Sequence, residues 1–259
     1  YRDSDRFVLI NNWEATYFDF TEEKLVNIAK KASEIGVDTM VLDDGWFGVR
    51  NNSKSSLGDW VVNKIKLPNG LDGLANKINA LGLKFGLWFE IERASANCEN
   101  VKNHKEYYIK DGAHYYVDFA KREACDFIYD ILKKNIDKYG VEFIKFDLNG
   151  PLTYDKTRTS FIKYYEGYNY FISRIRSDYP SLHLECCASG GGRMSLSNVP
   201  SFDSFWMSDS HGIYTQLEIF KNAILRMPSS MLERWATIRS VENFTPTYPV
   251  GDKTEKILL

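Results

Sequence analysis

Short apolar runs alternate along the chain with longer stretches in which apolar residues recur every three or four positions. A short, continuous apolar run predicts a buried strand, and the longer spacing predicts an amphipathic helix. Eight strands are predicted in this way, at residues 7–10, 39–42, 85–89, 115–117, 143–149, 182–185, 205–207 and 235–238.

Predicted helices separate most of these strands, and capping residues bound the first of them. Thr21 is a suitable N-cap residue, and Gly36 stands where a C′ residue belongs. The apolar face of this helix consists of Leu25, Ile28, Ala29, Ala32 and Ile35. The remaining helices are predicted near residues 74–81, 99–109, 121–139, 160–178 and 214–226.

The alternation of strands and helices predicts the fold class. It favours a parallel sheet that is covered on both faces, and eight such units in 259 residues favour a (β/α)8 TIM barrel. A hydrophobic content of 44% is ample for the core of one domain over residues 1–259. Because the eighth helix is barely begun at Leu259, we expect an incomplete eighth helix and a fragment of a longer multidomain protein.

Composition and charge exclude several classes of partner. A net charge of −2 and a pI near 6.2 give no electrostatic reason to expect binding to nucleic acid or to an acidic membrane surface. The chain contains no run of about 18 apolar residues, so no membrane-spanning helix is predicted. The four cysteines show neither C-x-x-C spacing nor a disulfide framework, so we expect free thiols in a reducing, cytoplasmic compartment of bacterial type.

The predicted strand at 143–149 contains two charged residues, Lys145 and Asp147, among its apolar positions. Side chains two residues apart on a strand point to the same face, and an unpaired charge is costly to bury. Two interpretations stay open from this strand alone. The two side chains form a structural ion pair, or they belong to a functional site.

Charged and aromatic residues recur where the other predicted strands end. In a barrel, the C-terminal ends of all the strands surround one mouth, where active sites lie. Stability alone would not require carboxylates at these positions, so we predict an active site there. The residues concerned are Trp13, Asp43, Asp44, Trp88, Glu90, Lys145, Asp147, Trp206 and Asp209.

Three kinds of function fit this set of residues. Paired carboxylates with aromatic walls suit glycoside hydrolysis, in which one carboxylate attacks and the other donates a proton. A metal-dependent lyase or isomerase is the second hypothesis, because Asp43, Glu90 and Asp147 could ligate Mg²⁺, although Lys145 would repel the ion. The third is a barrel that binds sugar without hydrolysing it.

Seven motifs together resemble the α-galactosidases of glycoside hydrolase family 36. They cover most of the chain in the order found in that family, and as a set they are highly specific. They are NWEAT at 12–16, LDDGWFG at 42–48, SLGDW at 56–60, FGLWFE at 85–90, KFDLN at 145–149, ECCASGGGR at 185–193 and WMSD at 206–209.

The resemblance implies a retaining hydrolase on a (β/α)8 barrel, with no metal and no organic cofactor. Asp147 matches the family's nucleophile and Asp209 its acid/base. Asp43 and Asp44 match the pair that binds the sugar hydroxyls, with Lys145 assisting them. The other substrate-binding positions implied are the aromatic Trp13, Trp88 and Trp206, Asn149 of the nucleophile motif, and Cys187 and Gly190 in a turn near the 2-position of the sugar.

The chain also departs from the family's pattern. Phe146 replaces the tryptophan of the nucleophile motif, Gly150 replaces the usual arginine after Asn149, and residues 210–212 differ from the usual Asn-Thr-Asp. These changes bear on the identity of the sugar more than on the reaction. We expect cleavage of terminal α-linked galactose from small-molecule carbohydrates, with α-linked N-acetylgalactosamine as the alternative, and a homo-oligomer in the full-length protein.

Overall fold

The computed structural model describes residues 6–153 and 160–236, and the chain divides into two compact units, residues 1–183 and 184–259. The described part of the first unit contains the strands β1 (Leu9–Asn11), β2 (Thr39–Leu42), β3 (Lys84–Phe89), β4 (Arg93–Ser95), β5 (Tyr108–Asp111), β6 (His114–Val117) and β7 (Phe143–Phe146). Its helices are α1 (Trp13–Thr16), α2 (Glu22–Glu34), α3 (Gly70–Asn79), α4 (Glu99–Asn103), α5 (Arg122–Tyr139) and α6 (Ser160–Asp178).

A parallel sheet of four strands runs through the first unit in the order β1, β2, β3, β7. In its register Met40 lies opposite both Ile10 and Phe85, and Phe89 lies opposite Phe146. Every residue of β2 and β7 is buried, as expected of parallel strands packed under helices. The strands predicted at 7–10, 39–42, 85–89 and 143–149 are confirmed as parallel strands, and only the strand at 39–42 has the predicted ends.

The capping residues of α2 follow the prediction. The Thr21 side chain accepts a hydrogen bond from a backbone N–H of the first turn at 3.3 Å, which satisfies one of the donors that a helix start leaves unpaired. Leu25, Ala29 and Ala32 are buried along one face. Ile35, predicted on that face, lies just past the helix end and is 71% exposed, so this part of the prediction is wrong.

The segment between β3 and α5 differs from the prediction. The helix predicted at 99–109 ends at Asn103, and β5 and β6 form an antiparallel hairpin with Gly112 in its turn at φ +58°. β6 also pairs antiparallel with β4, in a separate three-stranded sheet. The prediction of a barrel strand at 115–117 is therefore wrong, because an apolar run does not distinguish a parallel neighbour from an antiparallel one.

The described part of the second unit contains three parallel strands, β8 (His183–Cys186), β9 (Ser204–Trp206) and β10 (Leu232–Glu233), and the helix α7 (Ile213–Ala223). β8 begins on the last residue of the first unit. Cys186 and Leu232 both lie opposite Phe205 in the register. The strand predicted at 235–238 is wrong for residues 235–236, because the strand ends at Glu233. Residues 237 and 238 lie outside the described part of the chain.

The described residues establish a parallel α/β architecture, which agrees with the coarser part of the fold prediction. Six of the eight predicted strands are present and run in parallel pairs. The predicted eighth helix lies outside the described residues. No helix within residues 6–153 and 160–236 is long and apolar enough to cross a membrane.

Candidate active site

Carboxylates follow three of the four parallel strands in the first unit. Asp43 and Asp44 follow β2, Glu90 follows β3, and Asp147 follows β7 directly. Because parallel strands bring their C-terminal ends to one edge of the sheet, these side chains gather there. The ion pair between Lys145 Nζ and Asp43 Oδ2, at 3.4 Å, joins β7 to the end of β2. The structure therefore pairs Lys145 with a carboxylate 102 positions away in the sequence.

Two asparagines hold Asp43: Asn11, which ends β1, and Asn12, which follows it. The Asn11 side-chain amide donates to Asp43 Oδ2 at 2.6 Å, and the Asn12 side-chain oxygen accepts from the Asp43 backbone N–H at 2.8 Å. Asn11 Oδ1 in turn accepts from the backbone N–H of Trp13 at 2.8 Å. The predicted aromatic residue Trp13 is therefore linked to Asp43 through one side chain.

Asp44 forms a buried ion pair that the sequence did not predict. Arg50 donates from Nε to Asp44 Oδ1 at 2.8 Å and from Nη2 to Oδ2 at 2.7 Å, and Nη1 donates to the Ser55 carbonyl at 3.0 Å. The arginine is only 2% exposed. Burial raises the pKa of Asp44, and the guanidinium of Arg50 opposes that shift.

Lys66 fixes the loop that carries Arg50. Its ammonium group donates to the carbonyls of Gly45 and Arg50 at 2.9 and 2.7 Å and lies 4.7 Å from the centre of the Phe20 ring. Burial lowers the pKa of Lys66 to about 8. Lys66 therefore joins the backbone at both ends of the segment from Gly45 to Arg50, the segment that carries the ion-pair partner of Asp44.

We predict that Arg50→Met lowers the free energy of unfolding by about 3–5 kcal/mol, because it leaves the buried Asp44 carboxylate without its cation. Urea unfolding at neutral pH measures this loss. Since the pKa of Asp44 rises further without Arg50, protonation should relieve part of the loss as the pH falls. Lys102→Met, which removes an exposed partner of Glu99, is the matched control and should unfold like the parent. Equal stability of Arg50→Met and the parent would contradict the prediction.

Three donors hold the Asp147 carboxylate in one orientation. Oδ2 accepts from Trp88 Nε1 at 3.1 Å and from the Asn149 side-chain amide at 2.7 Å, and Oδ1 accepts from the Leu148 backbone N–H at 2.7 Å. The Asp147 backbone N–H continues the ladder to β3 through the Phe89 carbonyl at 2.8 Å. Trp88 is 1% exposed, so the structure gives it this hydrogen bond to Asp147 and little accessible ring surface.

Glu90 lies behind Asp147 and is fully buried. Arg93 donates to it from Nε at 2.6 Å and from Nη2 at 3.1 Å. Asn149 donates to it from its backbone N–H at 2.9 Å and from its side-chain amide at 3.2 Å. Burial raises the pKa of Glu90 to about 7 against the opposing effect of Arg93. The sequence predicts Glu90 at the strand end but carries no signal for Arg93.

In the second unit, Asp209 is exposed and accepts a hydrogen bond from Trp206 Nε1 at 2.7 Å. Trp235 packs against Trp206 with ring centres 5.0 Å apart, and its indole N–H donates to the Ser208 carbonyl at 2.9 Å. Gln216 of α7 donates to the Ser210 carbonyl at 2.6 Å. The backbone on both sides of Asp209 is therefore anchored by side chains that the sequence did not single out.

Gly190 lies in a turn that approaches the same backbone. It has φ +85°, and a Cβ at this position would stand 3.0 Å from Ser208 Cα and 3.4 Å from the Asp209 N atom. A side chain would therefore be both strained and crowded here. Cys187, in the same turn, is buried. The structure thus brings Gly190, Trp206 and Asp209 together within the second unit.

The carboxylates considered as Mg²⁺ ligands meet cationic side chains of the protein. Asp43 lies 3.4 Å from Lys145 Nζ, and Glu90 is bound by two nitrogens of Arg93. Within the described ranges, no group of three or more His, Cys, Asp or Glu side chains is arranged to hold a metal ion. The residues present therefore fit a metal site poorly.

Comparison with known proteins gives consistent matches over most of the chain. Residues 1–244 match the family model described as Melibiase. α-Galactosidase AgaA of Geobacillus stearothermophilus is 38% identical over 248 residues, which is 90% of this chain and 34% of that protein. α-Galactosidase Mel36A of Lactobacillus acidophilus is 36% identical over 248 residues, again 90% of this chain and 34% of that protein.

A solved structure extends the similarity to three dimensions. A crystal structure of a variant of the G. stearothermophilus GH36 enzyme in complex with raffinose has a TM-score of 0.81 at 37% identity. The match covers 88% of this chain and 34% of the other. The chain thus spans about one third of the length of the curated relatives that it matches.

Proposed function

The chain belongs to the melibiase family within glycoside hydrolase family 36, and from this we propose that it carries the active site of a retaining exo-α-galactosidase. One observation supports the proposal above the others. Carboxylates follow three neighbouring parallel strands, and the one that matches the nucleophile, Asp147, is oriented by three hydrogen-bond donors. A fixed carboxylate at a strand end suits attack on an anomeric carbon.

We propose a reaction in two steps. In the first, Asp147 attacks the anomeric carbon while Asp209 donates its proton to the departing glycosidic oxygen, which gives a covalent galactosyl-enzyme. In the second, Asp209 takes a proton from water, the water attacks the same carbon, and the bond to Asp147 breaks. Two inversions leave the product with the α-configuration of the substrate.

The remaining residues bind and orient the sugar in this proposal. Asp43 and Asp44 accept hydrogen bonds from sugar hydroxyl groups, and Lys145 donates to them. Arg50 keeps the Asp44 carboxylate in place through its two hydrogen bonds. The other substrate-binding positions proposed are Trp13, Trp88, Asn149, Cys187, Gly190 and Trp206.

We also infer that the parallel strands belong to a (β/α)8 barrel, as the similarity to the GH36 structures suggests. A homo-oligomer and a cytoplasmic location remain predictions from the sequence. The substrate is proposed to be a small-molecule carbohydrate with a terminal α-linked galactose, which is consistent with the raffinose bound by the related enzyme.

The test of the substrate is a rate comparison between an aryl α-galactoside and the matching aryl α-N-acetylgalactosaminide. We expect kcat/KM for the galactoside to be higher by roughly 100-fold, because a pocket shaped for a 2-hydroxyl group excludes the larger acetamido group. A preference for the N-acetylamino sugar would instead establish the alternative substrate. Galactose binding by calorimetry without turnover of either compound would favour the non-catalytic hypothesis.

A further inference from the structure

A chain of buried polar contacts leads from Arg93 to the Asp147 carboxylate. Arg93 lies on β4 of the small antiparallel sheet, and its guanidinium binds both oxygens of Glu90. Both side chains are buried. A buried carboxylate that loses its cation is strongly destabilised or takes up a proton. Arg93 therefore lowers the pKa of Glu90 against the effect of burial and favours its charged, hydrogen-bond-accepting form.

Glu90 determines which way the Asn149 amide points. The Asn149 side-chain nitrogen lies 3.2 Å from Glu90 Oε2 and 2.7 Å from Asp147 Oδ2. An ionised carboxylate only accepts hydrogen bonds, so the end of the amide that faces both acids must be the NH₂ group. A protonated Glu90 could instead donate to the amide oxygen, and an amide turned in this way would lose its hydrogen bond to the Asp147 carboxylate, which only accepts.

Gly150 provides the space in which the guanidinium lies. A Cβ built at this residue would stand 3.0 Å from Arg93 Nη1 and 3.6 Å from Arg93 Cζ. The Gly150 carbonyl also accepts a hydrogen bond from the Tyr116 hydroxyl at 2.9 Å, which holds the backbone next to Arg93. Glycoside hydrolase family 36 usually has an arginine at this position. This chain has no side chain there, and the Arg93 guanidinium from β4 lies beside it.

We propose that Arg93 is a positioning residue for the nucleophile, that it acts through Glu90 and Asn149, and that Gly150 lacks a side chain to admit it. This inference rests on the proposed function of Asp147. It assigns to the antiparallel sheet, through Arg93 on β4, a part in orienting the attacking carboxylate.

The first test uses substitutions of Arg93 in the full-length protein. We expect Arg93→Met to lower kcat for an aryl α-galactoside by roughly 10- to 100-fold with little change in KM, because a misplaced nucleophile slows attack without weakening sugar binding. Arg93→Lys should lose less, since it keeps the charge but not the bidentate contact. Lys102→Met removes an exposed cation of the same unit and should leave kcat unchanged.

A pH profile separates this role from a merely structural one. The charged and titratable groups that face Glu90 are Arg93 on β4, Tyr116 on β6 and Asp147 after β7. Removal of the Arg93 cation raises the pKa of Glu90, so the reactive form should be lost at a higher pH as the solution is acidified. We expect the acidic limb of kcat/KM in Arg93→Met to move upward by about one pH unit or more. An unmoved limb would overturn the proposal.

The decisive test is a double-mutant cycle between positions 93 and 150. Gly150→Ala should lower kcat by roughly 10-fold when Arg93 is present, because the guanidinium must shift by a few tenths of an ångström to make room for the added methyl group. The same substitution in the Arg93→Met background should cost less than about twofold. Additive effects, or a folded Gly150→Ala protein with the kcat of the parent, would overturn the proposal even if Arg93→Met does not fold.

The failure of this inference can be told apart from the failure of the proposed function. A parent protein without activity on any α-galactoside refutes the proposed function. The positioning role of Arg93 through Glu90 and Asn149 is then tested by crystal structures of the parent and of Gly150→Ala. An Asn149 amide that turns away from Asp147 in the variant supports this positioning role, and an unchanged amide overturns it.

Discussion

Asp147→Ala is expected to lower kcat on an aryl α-galactoside on the order of 10⁵-fold, because it removes the atom that forms the covalent intermediate. The neighbouring donors Trp88 and Asn149 cannot replace it, since neither side chain is a nucleophile. Stopped and continuous assays of released phenol measure the loss. Asp137→Ala, which removes an exposed carboxylate of α5 paired with Lys133, is the control and should keep the parent rate.

Azide identifies the role of Asp147 more specifically than the loss of rate does. In Asp147→Ala the small anion can enter the space left by the carboxylate and attack the anomeric carbon from that side. A single inversion gives the β-galactosyl azide, as the C–N bond forms and the C–O bond to the aryl group breaks. Full activity in Asp147→Ala, or an α-configured azide from this variant, would refute the assignment of the nucleophile.

Asp209→Ala is expected to have the second largest effect, with a loss of roughly 10²- to 10⁴-fold that depends on the leaving group. A substrate with a poor leaving group, such as an oligosaccharide, needs the proton of Asp209 for the first step. A dinitrophenyl galactoside does not, so its first step should remain fast, and the galactosyl-enzyme should accumulate because no base activates water. A burst of released phenol followed by a slow steady state measures this behaviour.

The product that azide forms in Asp209→Ala completes the test. Azide needs no general base, so it should attack the galactosyl-enzyme directly, raise the steady-state rate and give the α-galactosyl azide with retained configuration. Glu218→Ala, an exposed carboxylate on α7 of the same unit, is the control and should behave like the parent. An equal loss for good and poor leaving groups would show that Asp209 is not the acid/base.

The parallel strands and the carboxylates at their ends could be predicted from the sequence. The apolar runs and helical spacings report burial residue by residue. At the end of a buried strand the chain leaves the apolar core, so a polar side chain there costs less free energy to accommodate. This is why the segments at 39–42, 85–89 and 143–149, with Asp43, Glu90 and Asp147 after them, were found without coordinates. The segment at 115–117 was predicted as a strand but wrongly placed among the parallel strands, because a run of apolar residues carries no information on the direction of its neighbour.

The charges that meet those carboxylates were decided by the tertiary structure. The sequence placed Lys145 beside Asp147, but the fold pairs it with Asp43. Arg50, on a loop, and Arg93, on the antiparallel sheet, gave no periodic signal, yet they bind Asp44 and Glu90. A pattern of apolar residues records which side chains leave water. The partner of a buried charge depends on distances of a few ångströms across the fold, and only the folded chain sets those distances.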